Sequence, residues 1–167
     1  MKYINFNNEI ILIKNKYLFL KKINFGEVKI PNNLIVYLEK NILFIKSINF
    51  EKKNEISFYK QILNIIYGTN KLWESEVLVS GIGYKLFLNN NKLFLNLGYS
   101  DTKSINVPNY ITIELKKDRI LIKSIYKDKM GNFIKKIIQI KRFDPYKKKG
   151  IYLKNNIVLK KSSKKKQ

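Results

Sequence analysis

KIPNNLIVYLEKNILFIKS at residues 29–47 returns as NVPNYITIELKKDRILIKS at residues 106–124, with Pro31 aligned to Pro108 and no gap between the copies. The identical pairs are Pro31/Pro108, Asn32/Asn109, Leu38/Leu115, Lys40/Lys117, Ile45/Ile122, Lys46/Lys123 and Ser47/Ser124. Roughly two matches in nineteen are expected by chance in so biased an alphabet, so the stretch is read as an internal repeat. The echo extends upstream, where YLFLKK at 17–22 aligns with KLFLNL at 92–97 across a short indel, and downstream, where a helix-period segment follows each copy. Two small domains of similar shape are implied. With roughly 80 residues apiece, each buries only about 60–65% of its chain surface, so each core is modest and leans on its twin or on a partner.

Short β-rich segments dominate both halves: EIILI, YLFLKK, EVKIP, LIVYLEK and NILFIKS, then EVLVSG, YKLFL, KLFLNLG, SINVP, YITIEL and RILIKS. Pro31-Asn32-Asn33, Glu39-Lys40-Asn41, Asn89-Asn90-Asn91, Pro108-Asn109 and Lys117-Asp118 supply the turns that antiparallel hairpins require. After the first copy, Asn54 is the expected N-cap of a helix that turns Ile56, Tyr59, Leu63, Ile66 and Tyr67 inward and stops at Gly68. After the second, Asp128 is the expected cap of a helix whose Met130, Phe133, Ile134, Ile137 and Ile138 lie opposite Lys135, Lys136 and Gln139. The predicted fold class is α+β, a duplication of two similar small domains, each with antiparallel strands and one covering helix. The predicted boundaries are 1–74, 75–153 and a basic tail at 154–167, whose KKSSKKKQ end has too little apolar content to fold alone.

Lys and Arg number 34 against 12 Asp and Glu, for a formal charge of +22. Self-repulsion on that scale disfavours a free compact monomer and points to a polyanion, nucleic acid before a membrane surface. No basic amphipathic anchor or acyl signal stands at either end, and no membrane partner is expected. Only Arg119 and Arg142 are arginine, and lysine is a hydrated point charge without a bidentate fork, so phosphate positioning is favoured over base reading. The rival explanation of the charge is drift in A/T-rich codons, which also yields the Asn, Ile, Phe and Tyr bias and the absence of Ala. No targeting segment is recognised at the N-terminus, so the protein is expected to work where it is made.

His and Cys are both absent, which removes Ser-His-Asp, Cys-His and His- or Cys-ligated zinc schemes; no cofactor, metal or small-molecule substrate is expected. The acids are scattered singly, apart from Glu74 and Glu76 at strand spacing, read as a solvated acidic edge. Gly81-Ile82-Gly83-Tyr84 lacks the third glycine of a dinucleotide fingerprint and is read as a tight bend, where the glycines admit a close backbone, either RNA or the protein's own sheet. The segment that concentrates chemistry is KRFDPYKKKGIY at 141–152: Lys141 and Arg142 at a helix end, a turn at Asp144-Pro145, then Tyr146, Lys147, Lys148, Lys149 and Gly150. Proline stiffens it, the lysines attract phosphate, Tyr146 offers a stacking face, and Gly150 permits close approach.

SGIGY at 80–84, LGYS at 97–100, Val107-Pro108 and Phe143-Asp144-Pro145-Tyr146-Lys147-Lys148-Lys149-Gly150-Ile151 stand in an order that resembles the bacterial-type ribosomal protein L-six family of the large subunit, over nearly the whole chain. Its signature reads approximately Pro-Glu-Pro-Tyr-Lys-Gly-Lys-Gly-Val; here Phe143 replaces a proline and Lys148 a small residue. The resemblance implies no enzyme but a structural role, with large-subunit rRNA and neighbouring ribosomal proteins as partners. It implies binding mainly through the C-terminal domain near the sarcin–ricin loop and stalk base, where translation factors dock. The expected RNA-binding residues are Lys141, Arg142, Tyr146, Lys147, Lys148, Lys149 and Gly150, with Gly81, Gly83, Tyr84, Lys160 and Lys161. The ribosome would lie in the cytoplasm of an A/T-rich bacterium or in the matrix or stroma of an organelle. A duplicated nuclease of the homing-endonuclease kind is the alternative, but it needs an acid at each inner helix end, where Tyr67-Gly68-Thr69 and Lys141-Arg142 stand. A pair of RNA-recognition sheets would need a stacking octamer that GYKLFLNN does not supply.

Overall fold

The computed structural model describes residues 2–5, 10–48, 52–156 and 161. The chain divides into two compact units, Met1–Trp73 with Ile125–Lys127, and Glu74–Ser124 with Asp128–Gln167. The fold is α+β and duplicated: antiparallel strands and one helix in each half.

In the first unit the strands are β1 (Lys2–Asn5), β2 (Ile10–Lys14), β3 (Tyr17–Lys21), β4 (Phe25–Lys29), β5 (Leu34–Glu39) and β6 (Ile42–Ser47), followed by helix α1 (Lys52–Asn70). They form two three-stranded sheets, β1-β6-β5 and β2-β3-β4, with every pairing antiparallel. Alternating residues point inward, so Leu18 and Leu20 of β3 and Leu43 and Ile45 of β6 are fully buried against Phe58, Ile62 and Ile65 of α1. Asn15 and Lys16, then Lys40 and Asn41, all have positive φ, the left-handed pair that lets a two-residue loop match the strand twist.

The second unit repeats this plan with β7 (Trp73–Ser80), β8 (Lys85–Asn89), β9 (Lys92–Asn96), β10 (Lys103–Asn106), β11 (Ile111–Lys116), β12 (Arg119–Ser124), helix α2 (Lys127–Ile140) and β13 (Gly150–Leu153). Its sheets are β10-β9-β8 and β11-β12-β7-β13. The core is copied position by position: Leu93 and Leu95 take the places of Leu18 and Leu20, Ile120 and Ile122 those of Leu43 and Ile45, Phe133 and Ile137 those of Phe58 and Ile62. Backbone bonds repeat as well. Leu34 donates to the Pro31 carbonyl at 3.1 Å and Ile111 to that of Pro108 at 2.9 Å. Ile30 donates to Lys16 at 2.8 Å and Val107 to Asn91 at 2.7 Å. Among the described residues, β13 has no counterpart in the first unit.

Helix α1 departs from its expected orientation. Ile56, Leu63 and Tyr67 are exposed, while Glu55, Phe58, Ile62, Ile65, Gly68 and Thr69 face inward. Two neighbouring stripes of α1 are apolar, so periodicity alone does not choose between them. One polar and one steric contact do. The Glu55 carboxylate Oε1 accepts the Ser47 amide at 2.8 Å and its hydroxyl at 3.1 Å, fixing the helix start to the end of β6. At the other end, a Cβ on Gly68 would lie 2.2 Å from the carbonyl oxygen of Ile125, so this glycine is required inside the helix and does not stop it. Asn54 likewise lies within α1 rather than before it. Helix α2 follows expectation at Met130, Phe133, Ile134 and Ile137, all buried, but it begins at Lys127, which puts Asp128 inside its first turn.

Hydrogen bonds, that from the Ser47 amide the strongest, hold the pKa of the Glu55 carboxyl down to about 2. Its folded value is thus below the ordinary carboxylate value, and the contribution is complete above about 4.5 and is lost as pH falls towards 2. Urea titrations monitored in the first unit should show stability falling through that window, and Glu55→Gln should flatten this limb. An unchanged acid limb in the variant would contradict the assignment.

Candidate nucleic-acid interface

β13 pairs antiparallel with β7, with Gly150 opposite Ser80 and Leu153 opposite Val77. The 81–84 turn and the 141–149 connection therefore leave the sheet at the same end of this strand pair. A further bond joins them, the Ser80 hydroxyl donating to the Lys148 carbonyl at 3.0 Å. At the opposite end of β13, Lys154 donates its amide to the Glu76 carbonyl at 3.0 Å and its ammonium to Glu76 Oε2 at 2.6 Å, while Arg119 holds Oε1 at 2.8 Å. Glu76 is thus an ion-pair hub across the sheet rather than a solvated edge, and the Lys154 hydrogen bond, ahead of that from Arg119, lowers its pKa.

The lysine loop is organised by Asp144. Its Oδ1 accepts the amides of Tyr146 at 2.8 Å and Lys147 at 3.2 Å, its carbonyl accepts the Lys148 amide at 2.8 Å, and its own amide donates to Lys149 at 2.9 Å. Side chains of this type mimic a turn by bonding backbone two and three residues on. Sequence reading placed Asp144 in the turn without giving it this role. The backbone polar groups of residues 144–149 are largely consumed within the protein, so the loop presents side chains: Tyr146, Lys147, Lys148 and Lys149 are all exposed. None of the three lysines forms an ion pair among the described residues.

The other expected site residues sort by geometry. Gly150 has φ +135°, and a Cβ there would lie 2.5 Å from Phe143 Cα and 2.6 Å from the Arg142 carbonyl; its close approach is to the protein's own chain. Gly83, at φ +78°, occupies the left-handed position of the 81–84 turn and faces open space, whereas a Cβ on Gly81 would strike the Tyr84 ring at 2.3 Å. Lys141 is engaged internally. Its ammonium donates to the Leu97 carbonyl and sits 4.9 Å from the Tyr84 ring centroid and 4.4 Å from that of Tyr99. Arg142 is exposed beside the loop base. Lys161 donates its amide to the Pro145 carbonyl at 3.2 Å and its ammonium lies 6.0 Å from the Tyr146 ring, while Lys160 lies outside the described residues.

Both departures from the family signature have physical consequences. Phe143 packs edge-to-face on Tyr152 of β13, ring centroids 4.9 Å apart. Lys148 sits at φ +55°, a conformation in which glycine is unstrained and a side chain costs about 1 kcal/mol. A small residue in the signature at this position is explained by that angle.

A twinned α+β scaffold with a closed lysine loop at one sheet end defines a class of small, basic, duplicated proteins. The family model described as "Ribosomal protein L6" matches residues 80–153. The large ribosomal subunit protein uL6c of Thalassiosira pseudonana is 30% identical over 158 residues, 93% of this chain and 84% of that protein. The chain belongs to the ribosomal protein L6 family. The uL6c of Phaeodactylum tricornutum is 34% identical over 62% of this chain, and the uL6 of Caldicellulosiruptor bescii 42% identical over 54%. These two matches span 58% and 50% of the relatives' own lengths, so the chain spans about half the length of some relatives it matches.

Two substitutions test the loop geometry in opposite directions. Gly150→Ala meets backbone on both sides and should cost roughly 2–4 kcal/mol in a denaturant titration. Lys148→Gly removes left-handed strain but frees the unfolded chain, so its net effect should stay within about 1 kcal/mol. Comparable losses in both variants would contradict this account.

Proposed function

We propose that this chain is a structural constituent of the large ribosomal subunit that binds large-subunit rRNA mainly through residues 75–153, near the sarcin–ricin loop and stalk base where translation factors dock. The supporting observation is the Asp144-centred loop: a stiff turn whose own carboxylate is directed at backbone amides and whose three consecutive ammonium groups face outward. Lysines of this kind neutralise phosphates and release counterions, setting affinity and register without reading bases. Arg142, Tyr146 and Lys161 flank that surface; Gly81, Gly83, Tyr84, Lys141 and Gly150 shape it.

Charge distribution supports the same half. Residues 1–74 hold 12 Lys and Arg against 6 acids, and residues 75–167 hold 22 against 6, giving +6 and +16 of the total +22. Codon drift acts on both halves alike and does not account for this asymmetry. Ribosomal RNA and adjoining large-subunit proteins are the partners, in the ribosome of a bacterium or of an organelle. The segment 154–167 contributes six of the lysines in residues 75–167. The nuclease alternative gains no support, because the last turns of α1 and α2, ending at Asn70 and Ile140, hold no acid.

Replacing Lys147, Lys148 and Lys149 together with Ala should weaken binding to large-subunit rRNA and lower the salt slope by roughly 2–3, at about 0.7–0.9 per lost phosphate contact. A slope that stays the same would remove the loop from the interface. In sucrose gradients of a lysate at moderate salt, the protein should co-migrate with large subunits; its absence from those fractions would overturn the proposal.

A further inference from the structure

The duplication supplies an internal control for a second site. In each unit a groove opens between the proline turn and the covering helix. In the first unit it measures about 170 Å³ and is lined by Pro31, Phe58 and the neutral polar groups Asn54, Ser57 and Gln61. In the second it measures about 540 Å³ and is lined by Pro108, Phe133, Lys129, Asn132 and Lys136. The helix positions correspond one for one at a constant offset: Asn54 with Lys129, Ser57 with Asn132, Phe58 with Phe133, Gln61 with Lys136. The apolar floor has been kept and the rim recharged.

The rest of the lining fits the same reading. Lys135 stands where the first unit has Lys60, but it lines this groove while Lys60 does not line the smaller one, and neither Lys135 nor Lys136 forms an ion pair among the described residues. Tyr110, where the first unit has Asn33, places a ring 41% exposed on the wall, with the Lys129 ammonium 5.0 Å from its centroid. Asn106, Asn132 and Gln139 contribute neutral donors. Clustered point charges beside an accessible aromatic face are the elements with which proteins hold single-stranded nucleic acid. An acidic peptide would use the charges but has no need of the ring. The volume falls within the roughly 300–1,000 Å³ of small-ligand sites, enough for one nucleotide inside a longer strand.

We propose that the groove between the Pro108 turn and α2 is a second RNA site, in which Lys129, Lys135 and Lys136 hold the sugar-phosphate of a single-stranded segment and one unstacked base lies on Tyr110. This inference rests on the reading of the chain as an RNA-binding protein and extends its contact surface beyond the lysine loop.

The test uses the full chain with two probes, large-subunit rRNA and a ten-nucleotide oligouridylate. The triple variant Lys129→Gln, Lys135→Gln, Lys136→Gln alters exposed side chains only and should keep the wild-type circular dichroism. It should lower the salt slope on either probe by roughly 2, at about 0.7 per single-stranded phosphate, and add to the effect of the loop variant on rRNA. Tyr110→Leu should weaken oligouridylate binding roughly 5-fold or more with the slope unchanged. A groove variant with wild-type slopes beside a loop variant with a reduced one would overturn the second site and leave the loop reading intact. Wild-type slopes in both would overturn the proposed function itself. A reduced slope combined with an inert Tyr110→Leu and full competition by polyglutamate would assign the groove to an acidic protein and overturn the RNA assignment.

Discussion

The pairing of Gly150 with Ser80 is the contact on which the lysine-loop end of the second unit depends. It brings β13 onto β7 and closes the chain leaving α2 into a hairpin-like loop. It also brings the Lys148 carbonyl within reach of the Ser80 hydroxyl. The register works only because residue 150 lacks a Cβ, since Phe143 and Arg142 occupy that space. At the far end the Glu76 hub grips Lys154, so the short strand is fixed at both termini. Exposed pairs of this kind contribute modestly one by one, and here two cations share one carboxylate whose position the sheet already fixes.

Set against its twin, the second unit shows which parts of the fold are generic. The buried pairs Leu18/Leu93, Leu20/Leu95 and Ile62/Ile137 are interchangeable in role, each side chain worth about 1.5–3 kcal/mol of burial. The amide bonds to Pro31 and Pro108 recur with nearly the same length. What differs is the added strand β13, which brings Ile151 into the second core, the loop that feeds it, and the charges along α2. Duplication fixes the interior because close packing punishes changes in volume, and it leaves the surface free to diverge.

The repeat was legible because proline turns and apolar alternation carry physical information in nearly every residue. Most of the strands and the Asn90-Asn91 turn followed from it, and so did the buried face of α2, whereas β13 was legible only as the end of the lysine segment. The face of α1 did not, because Ile56, Leu63 and Tyr67 are as apolar as the residues that are buried, and the choice is made by Glu55 meeting Ser47 and by Gly68 meeting Ile125. The loop was legible as a concentration of charge. Its organiser was not: Asp144 looks like any turn aspartate until its carboxylate is seen holding two amides. Lys141 carried the same letter as its neighbours, yet a carbonyl and two tyrosine rings occupy its ammonium. In a chain with so many lysines, residue type cannot separate a cation that faces a partner from one that packs.

That distinction decides how the loop works. Three adjacent ammonium groups repel one another, and a mobile segment would relieve the strain by spreading. Here the backbone is held by bonds to Asp144, Ser80 and Lys141, so the charges remain together. A polyanion meeting them would find the loop already ordered, so the protein would lose less conformational freedom than a flexible tail, and that saving would appear as affinity. The cost is paid in the fold, by Lys148 in a left-handed conformation and by like charges kept adjacent. A bound phosphate would remove the repulsion, while the left-handed strain at Lys148 would stay in the fold.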